Sequence, residues 1–320
     1  MSIFNEVSNI EQRLADPDAG VRRIAVMELP YSDVDNPLPL LVNAITDTDA
    51  AVRLEAAKAL EGLEDPSAVA ALLSALKGGD EEVRQAAALS LAELKQDEHG
   101  PMLLAALEDP QPFVKVSVLH ALRELRVPNA FAPAMQALEH TSPLVRRAAV
   151  GVLGYLKNPD GLSALTRIAA HDIDPSVRRA AVGTLGFASE LEALPALLAA
   201  LLDGSWQVRE EAAATVGKLQ LFSASDQLIK AMHDEYWQVR VTATRSLGRM
   251  KVAAALSVLS EALEHTISNL RKEAAIALGE IGDPCAVPVL EVALGDPDPD
   301  VRKIAKLALA QIGKSSLKIN

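Results

Sequence analysis

The sequence predicts an all-α fold: an α-α superhelix, wound as a right-handed solenoid of ten helix pairs with about 31 residues per repeat. Three observations predict it. The dipeptide Val-Arg recurs on a ladder at Val21, Val52, Val83, Val145, Val177, Val208, Val239 and Val301, with Val114-Lys115 and Leu270-Arg271 filling two gaps. Apolar residues make up 49% of the chain but aromatics only 3%, so the core must come from small aliphatic side chains, which suit closely packed helices. Gly and Asp-Pro punctuate the ladder where helices should stop and start.

Every ladder step is 31 residues except one of 32, between Val145 and Val177. The extra residue is expected in the loop around Asp160 to Gly161 or His171 to Asp174. Each repeat reads as two helices. From Leu270 to Ile281, Leu270, Ala274, Leu278 and Ile281 form one helical stripe. Gly282 should end that helix, and Asp283-Pro284 should cap and start the next. Asp296-Pro297-Asp298 should break that one and cap the helix of Val301. The first repeat should open with an outer helix at about Ile3 to Ala15. The ladder assigns residues 1–320 to a single solenoid domain.

Two further columns have a physical reading. Five residues before the ladder position stand Asp16, Asp47, Asp109, Asp172, Asp203, Asp234 and Asp296. An Asp in each turn can accept backbone N–H groups and meet an Arg of its own or the next repeat, fixing repeat-to-repeat register. Pro39, Pro101, Pro195 and Pro288 fall inside the first helix of their repeats, where Pro removes a backbone donor and bends the helix.

The formal net charge is −12, and it is uneven. Residues 1–160 carry 14 basic against 24 acidic side chains, whereas 161–320 carry 17 against 19. No basic face or basic amphipathic run dominates, so neither nucleic acid nor a membrane surface is expected as partner. No stretch approaches the roughly 18 consecutive apolar residues of a membrane-spanning helix. Met1 to Gly20 shows no basic segment followed by an apolar run, so no signal peptide and a cytoplasmic location are expected. Cys285 is the only cysteine, which excludes a disulfide framework and a Cys-based metal knuckle.

The repeat, best seen in Arg271 to Arg302, Val208 to Leu219 and Val52 to Leu76, resembles the short HEAT repeats of the phycobilisome-lyase type. The resemblance covers essentially the whole chain. It implies an armadillo-like α-solenoid, and a role drawn from bilin lyase subunits, accessory proteins of metal or iron–sulfur enzymes, or scaffolds. Deoxyhypusine hydroxylase is similar in repeat and binds di-iron through His-Glu pairs just after the Val-Arg. The matching His column here holds Arg23, Leu54, Gln85, Val116, Arg147, Arg179, Glu210, Val241, Lys272 and Lys303. No His occurs there, although Glu55, Glu211 and Glu273 keep the Glu column. Iron ligation of that kind is therefore excluded.

Nothing else in the chain carries catalytic chemistry. No Gly-rich phosphate loop and no nucleophile elbow occurs. Cys285 lies at a helix start, where a dipole lowers a thiol pKa, but it occupies an ordinary repeat position. The histidines are His99, His120, His140, His171, His233 and His265. His140 and His265 replace Asp in the turn column four repeats apart, roughly 40 Å at about 10 Å per repeat, so they cannot share a metal. His120 falls on a second helix. Neither a metal nor a cofactor is expected.

The middle of the chain departs from its own consensus. Gly151 and Gly183 sit mid-helix, each costing about 1 kcal/mol against Ala. Tyr155 and Phe187 lie one turn later on the same face. Trp206 and Trp237 hold identical positions in adjacent repeats, so their rings can form one patch, and Tyr236 adjoins Trp237. Arg147, Arg179 and Arg245 flank the region. One reading makes the aromatics gap fillers and the glycines relief for a large neighbour. The favoured reading makes them a groove over repeats five to eight, because Trp, Tyr and Arg dominate binding hot spots. The candidate partner-binding residues are Arg147, Tyr155, Arg179, Phe187, Trp206, Tyr236, Trp237 and Arg245. The expected function is a non-enzymatic scaffold or adaptor that binds another protein. The resemblance adds two alternatives, a lyase-type subunit handling a tetrapyrrole or its carrier protein, and an accessory factor for metal or iron–sulfur enzyme assembly.

Overall fold

In the computed structural model, residues 10–316 are described, with side chains to residue 313. Among the described residues every regular element is helical and none is a strand. The outer helix expected at Ile3 to Ala15 falls largely outside them, and residues 10–14 are helical.

The chain forms two compact units, Met1–Leu156 and Lys157–Asn320. In the first, short leading helices (Leu38–Ala44, Pro66–Ala75, Gly100–Ala106, Phe131–Ala137) alternate with second helices (Ala19–Glu28, Ala50–Ala59, Glu81–Ala92, Pro112–Leu125, Pro143–Leu156). In the second, leading helices Leu162–His171, Glu190–Ala200, Ser225–Ala231, Leu256–Ala262 and Val287–Ala293 alternate with Pro175–Thr184, Trp206–Leu219, Trp237–Arg249, Ser268–Ile281 and Pro299–Ser316. Within each unit, successive second helices pack side by side.

The repeat supplies the core as one stripe. The ladder residues from Val52 onward are buried. Val21, in the first described second helix, is only half-buried. Four residues on stands a small residue, Ala in every repeat except Val118, and it is 0% exposed in all ten. Four further on, Leu29, Leu60, Leu91, Leu122, Leu153, Leu185, Val216, Leu247 and Leu278 are buried too. Stepping by four keeps these side chains on one helix face. Truncating such a Leu to Ala costs about 2–5 kcal/mol.

Close approach is tightest in the second unit. A Cβ on Gly248 would stand 2.6 Å from the Ala277 backbone, and one on Gly217 would stand 2.6 Å from Ser246 Cβ. Ser246 Oγ donates to the Ala213 carbonyl at 2.8 Å, so the crowded contact also satisfies a buried hydroxyl.

Helix ends follow the local signals. The Ser268–Ile281 helix ends at Gly282, which takes φ 77° and donates its N–H to Leu278 O. Asp283 accepts the Cys285 N–H, and Asp298 accepts the Asp300 N–H, each at 2.8 Å. Pro39, Pro101 and Pro288 occupy the first turn of their α-helices, and at Pro101 and Pro288 a 3-10 turn, Asp97–His99 and Pro284–Ala286, runs directly into that helix. Only Pro195 of that column lies inside a continuous helix.

The extra residue of the 32-residue step, expected in a loop, lies in the helix that leads into the second of the two expected loops. Elsewhere the turn-column N–H closes a three-residue turn, as in Asp47 to Ala44 O and Asp203 to Ala200 O. Asp172 instead donates to Ile168 O, four residues back. The insertion thus extends the Leu162–His171 helix and leaves the loop unchanged.

Candidate functional site

The turn column and the ladder Arg build a chain of ion pairs between repeats. Arg178 donates Nε and Nη2 to both oxygens of Asp203 at 2.7 and 2.8 Å. Arg209 does the same to Asp234 at 2.6 and 2.9 Å. Arg22 with Asp47, and Arg271 with Asp296, repeat the geometry. In each case Nη1 turns back to a carbonyl of its own turn, as Arg209 does to Asp203 O at 2.8 Å. The guanidinium is planar and fork-shaped, so it fixes turn and neighbour together. These charges are structural, as the sequence implied.

The column has informative breaks. Gly78 takes the Asp place in the third repeat, and Arg53 pairs with Asp80 instead. His140 and His265 supply Nδ1 to the N–H of Ser142 and Ile267, each at 3.0 Å, as an Asp oxygen does elsewhere. Nδ1 of His265 is used by the Ile267 N–H and the ring has no second carboxylate oxygen to offer, and the buried Nε of Arg240 has no hydrogen-bond partner. Burial, together with Arg240 and Arg271, holds the His265 pKa below its ordinary value.

In the second unit, Tyr236 occupies the N-cap place of its helix, where Asp or Ser stands in most repeats, and it makes no capping bond. Its ring stacks on Trp206 of the preceding repeat, centroids 5.6 Å apart and planes 16° from parallel. Arg209 lies over the same ring at 5.7 Å. Within the expected patch of Trp206, Tyr236 and Trp237, the ring that stacks on Trp206 is Tyr236. Tyr236 is 40% and Trp237 41% exposed, while Trp206 is half-buried beneath its partner. Phe187 is half-buried in a 3-10 turn, Leu185–Phe187.

Two of the three expected arginines are already engaged. Arg179 pairs with Glu211 at 3.3 Å and Arg245 with Glu273 at 2.7 Å, each across adjacent second helices. Gly183 leaves room for this network, since a Cβ there would stand 2.9 Å from Glu211 Oε1. The large neighbour that this glycine accommodates is a charged side chain and not an aromatic ring.

In the first unit, Arg147 is exposed and has no hydrogen-bond or ion-pair partner among the described residues. Tyr155 is 44% exposed, with Arg123 and Arg126 over its ring at 5.2 and 5.9 Å. Sequence reasoning did not single out those two arginines. Their only signal was a spacing of nine and twelve residues after Val114, which places them beside Tyr155 once the helices pack.

No group of three His, Cys, Asp or Glu side chains is placed to hold a metal among the described residues. Asp283 raises the pKa of exposed Cys285, and no α-helix begins there to lower it. A cleft of about 360 Å³ bordered by Leu104, Glu108, Lys115, Gln136 and His140 contains no nucleophile paired with a base. No described helix is long and apolar enough to cross a membrane.

Helix pairs repeated on a ladder, pinned by Arg-Asp forks and lined by small buried residues, define an α-solenoid repeat protein. The chain belongs to the HEAT-repeat family, whose profile matches residues 7–92, 69–134, 131–217 and 225–316. No curated protein matches it significantly. Solved structures share the fold. An engineered protein is 21% identical over 96% of this chain and 99% of its own, with a TM-score of 0.54. YibA of Escherichia coli is 21% identical over 93% and 98%, with a TM-score of 0.55. Kap95p, solved with RanGDP, is 18% identical over 98% of this chain and 50% of its own, with a TM-score of 0.65. The chain thus spans about half of Kap95p.

Proposed function

We propose that the chain is a protein-binding scaffold that takes a partner on the exposed aromatic edge formed by Trp206, Tyr236 and Trp237. The observation that carries this reading is the Trp206–Tyr236 stack, 5.6 Å between centroids, with Tyr236 40% and Trp237 41% exposed beside each other. Tyr and Trp present large, rigid, amphipathic surfaces and are enriched at hot spots.

Phe187, Arg179 and Arg245 belong to the same unit and border the proposal; Arg147 and Tyr155 belong to the first unit. Arg179 and Arg245 would meet partner carboxylates only by sharing them with Glu211 and Glu273. A single solenoid over residues 1–320 and a cytoplasmic location are part of the same proposal. Similarity of fold to Kap95p, which binds RanGDP and forms a complex with Nup1, supports protein binding by analogy.

The test is capture from host lysate by wild type and by Tyr236→Ser/Trp237→Ala. Ser restores the capping residue of the column, so this variant should fold. Loss of a partner that wild type retains, with affinity at least about tenfold weaker on titration, is the expected result. Equal capture would retire this surface. The phycobilisome-lyase resemblance keeps a tetrapyrrole-handling subunit and a metal-enzyme accessory factor as alternatives, and no residue geometry favours either. A coloured eluate would move the assignment to the former, and a metalloenzyme client to the latter.

A further inference from the structure

The first unit carries a second surface of different chemistry. Residues 1–160 have a large acidic excess, yet Arg123 and Arg126 both lie over the Tyr155 ring, and His120 lies within the field of Arg123 and Arg147. A Cβ on Gly151 would stand 3.5 Å from Arg123 Cδ, an ordinary contact, so Arg123 lies alongside that residue. Arg126 ends the Pro112–Leu125 helix in the left-handed conformation, φ 54°, and this places its guanidinium 5.9 Å from the same ring.

The charges there do not cancel. Arg123 donates both Nε and Nη2 to Glu124 Oε1, at 3.0 and 2.5 Å, so that edge is already engaged. Neither Arg126 nor Arg147 has a carboxylate partner among the described residues. Three guanidiniums against one carboxylate leave a surplus of two positive charges. His120 reports the same field: burial first, then Arg123 and Arg147, lower its pKa, and Glu124 opposes them. A guanidinium lying over an aromatic ring keeps its edge N–H donors available, and those donors match a carboxylate. The two arginines over Tyr155 cannot be more than about 11 Å apart, roughly the reach of three extended residues. Alternate side chains on an extended strand recur about every 7 Å, so a run of acidic residues can reach Arg126 and, by sharing it with Glu124, Arg123.

We propose that His120, Arg123, Arg126, Arg147 and Tyr155 form a docking site for an extended acidic segment, rich in Asp or Glu, of a partner protein. This deepens the protein-binding reading and rests on it, but it uses a different unit and different residues. Charge complementarity selects the occupant, because within residues 1–160, which carry 24 acidic against 14 basic side chains, this patch is a local surplus of positive charge.

The test is fluorescence anisotropy of a labelled oligoglutamate peptide, at low and near-physiological ionic strength, with thermal melting as the fold control. Arg126→Gly/Arg147→Gln removes two charges, and the Gly relaxes the left-handed residue, so the helix end should be kept. Lys303→Gln/Lys306→Gln removes two exposed charges from the last helix as a control. The expected result is binding by wild type, weakening with salt, and roughly tenfold loss in Arg126→Gly/Arg147→Gln alone. Tyr236→Ser/Trp237→Ala should bind the peptide normally even if it loses the lysate partner, so the two readings fail separately. No binding by wild type, equal loss in the lysine control, or binding of inorganic phosphate without oligoglutamate would overturn the proposal.

Discussion

Arg271 and Asp296 meet across successive repeats as a two-pronged pair, Nε to Oδ2 at 2.7 Å and Nη2 to Oδ1 at 2.8 Å. Asp296 Oδ1 also accepts the Asp298 N–H at 2.8 Å, so one carboxylate holds its own turn and the helix before it. The pair has little solvent around it, with side chains 12% and 7% exposed.

Asp296→Asn keeps the shape and removes the charge. It should cost about 2 kcal/mol at neutral pH, the scale of a hydrogen bond to a charged group. The Arg271 hydrogen bond, opposed by burial and aided by the Asp298 N–H, lowers the Asp296 pKa. Arg22 does the same for Asp47. A carboxylate with a depressed folded pKa contributes stability above its unfolded value of about 3.9 and loses it as pH falls through the folded value. Urea unfolding across pH should therefore show wild type converging on Asp296→Asn only below about pH 4. A constant gap down to the acid limit would contradict the linkage.

His265 stands where the column wants Asp, opposite an arginine whose buried Nε is unsatisfied. His265→Asp should let Arg240 form the fork that Arg271 forms with Asp296, while still accepting the Ile267 N–H. We expect a gain of about 1 kcal/mol, measured as a shift in urea midpoint at neutral pH. The gain should vanish in the Arg240→Gln background; its persistence there would mean the fork never forms.

Gln220 and Lys251 end their helices at φ 53° and 55°, in the conformation Gly282 adopts at φ 77°. A non-glycine residue pays a steric cost there. Gln220→Gly should raise stability by about 0.5–1 kcal/mol, because relief of that cost exceeds the added freedom of the unfolded chain. A lower melting temperature would show that the Gln side chain is worth more than the strain.

Gly248 and Gly313 separate packing from propensity. Both are helical, and Ala is the better helix former by about 1 kcal/mol. Nothing lies within 4 Å of a Cβ on Gly313, so Gly313→Ala should stabilise. On Gly248 the Cβ would meet backbone at 2.6 Å, so Gly248→Ala should destabilise by about 1–3 kcal/mol as the helices separate. Equal effects at both sites in thermal unfolding would refute the close contact.

The amino-acid sequence by itself determined the helix pairs, their boundaries and the buried stripe. These depend on residues three to twelve apart: the step of four from Val239 to Ala243 to Leu247, the cap at Asp283, the stop at Gly282. Such signals are local and recur every 31 residues, so each repeat corroborates the next. Only the tertiary structure decided which side chains meet. Arg179 finds Glu211 and Arg123 finds Tyr155, 32 residues on in both cases, because adjacent second helices pack at one particular offset. A separation of 30 residues puts Tyr236 on Trp206, and one of 28 joins Arg245 to Glu273. Packing thus engages Arg179 and Arg245 internally and leaves Arg147 without a partner among the described residues. A one-dimensional repeat names the columns. The depth and offset of packing, set by small residues such as Gly217 and Gly248, choose the pairs, and that choice is what separates a structural charge from one available to a partner.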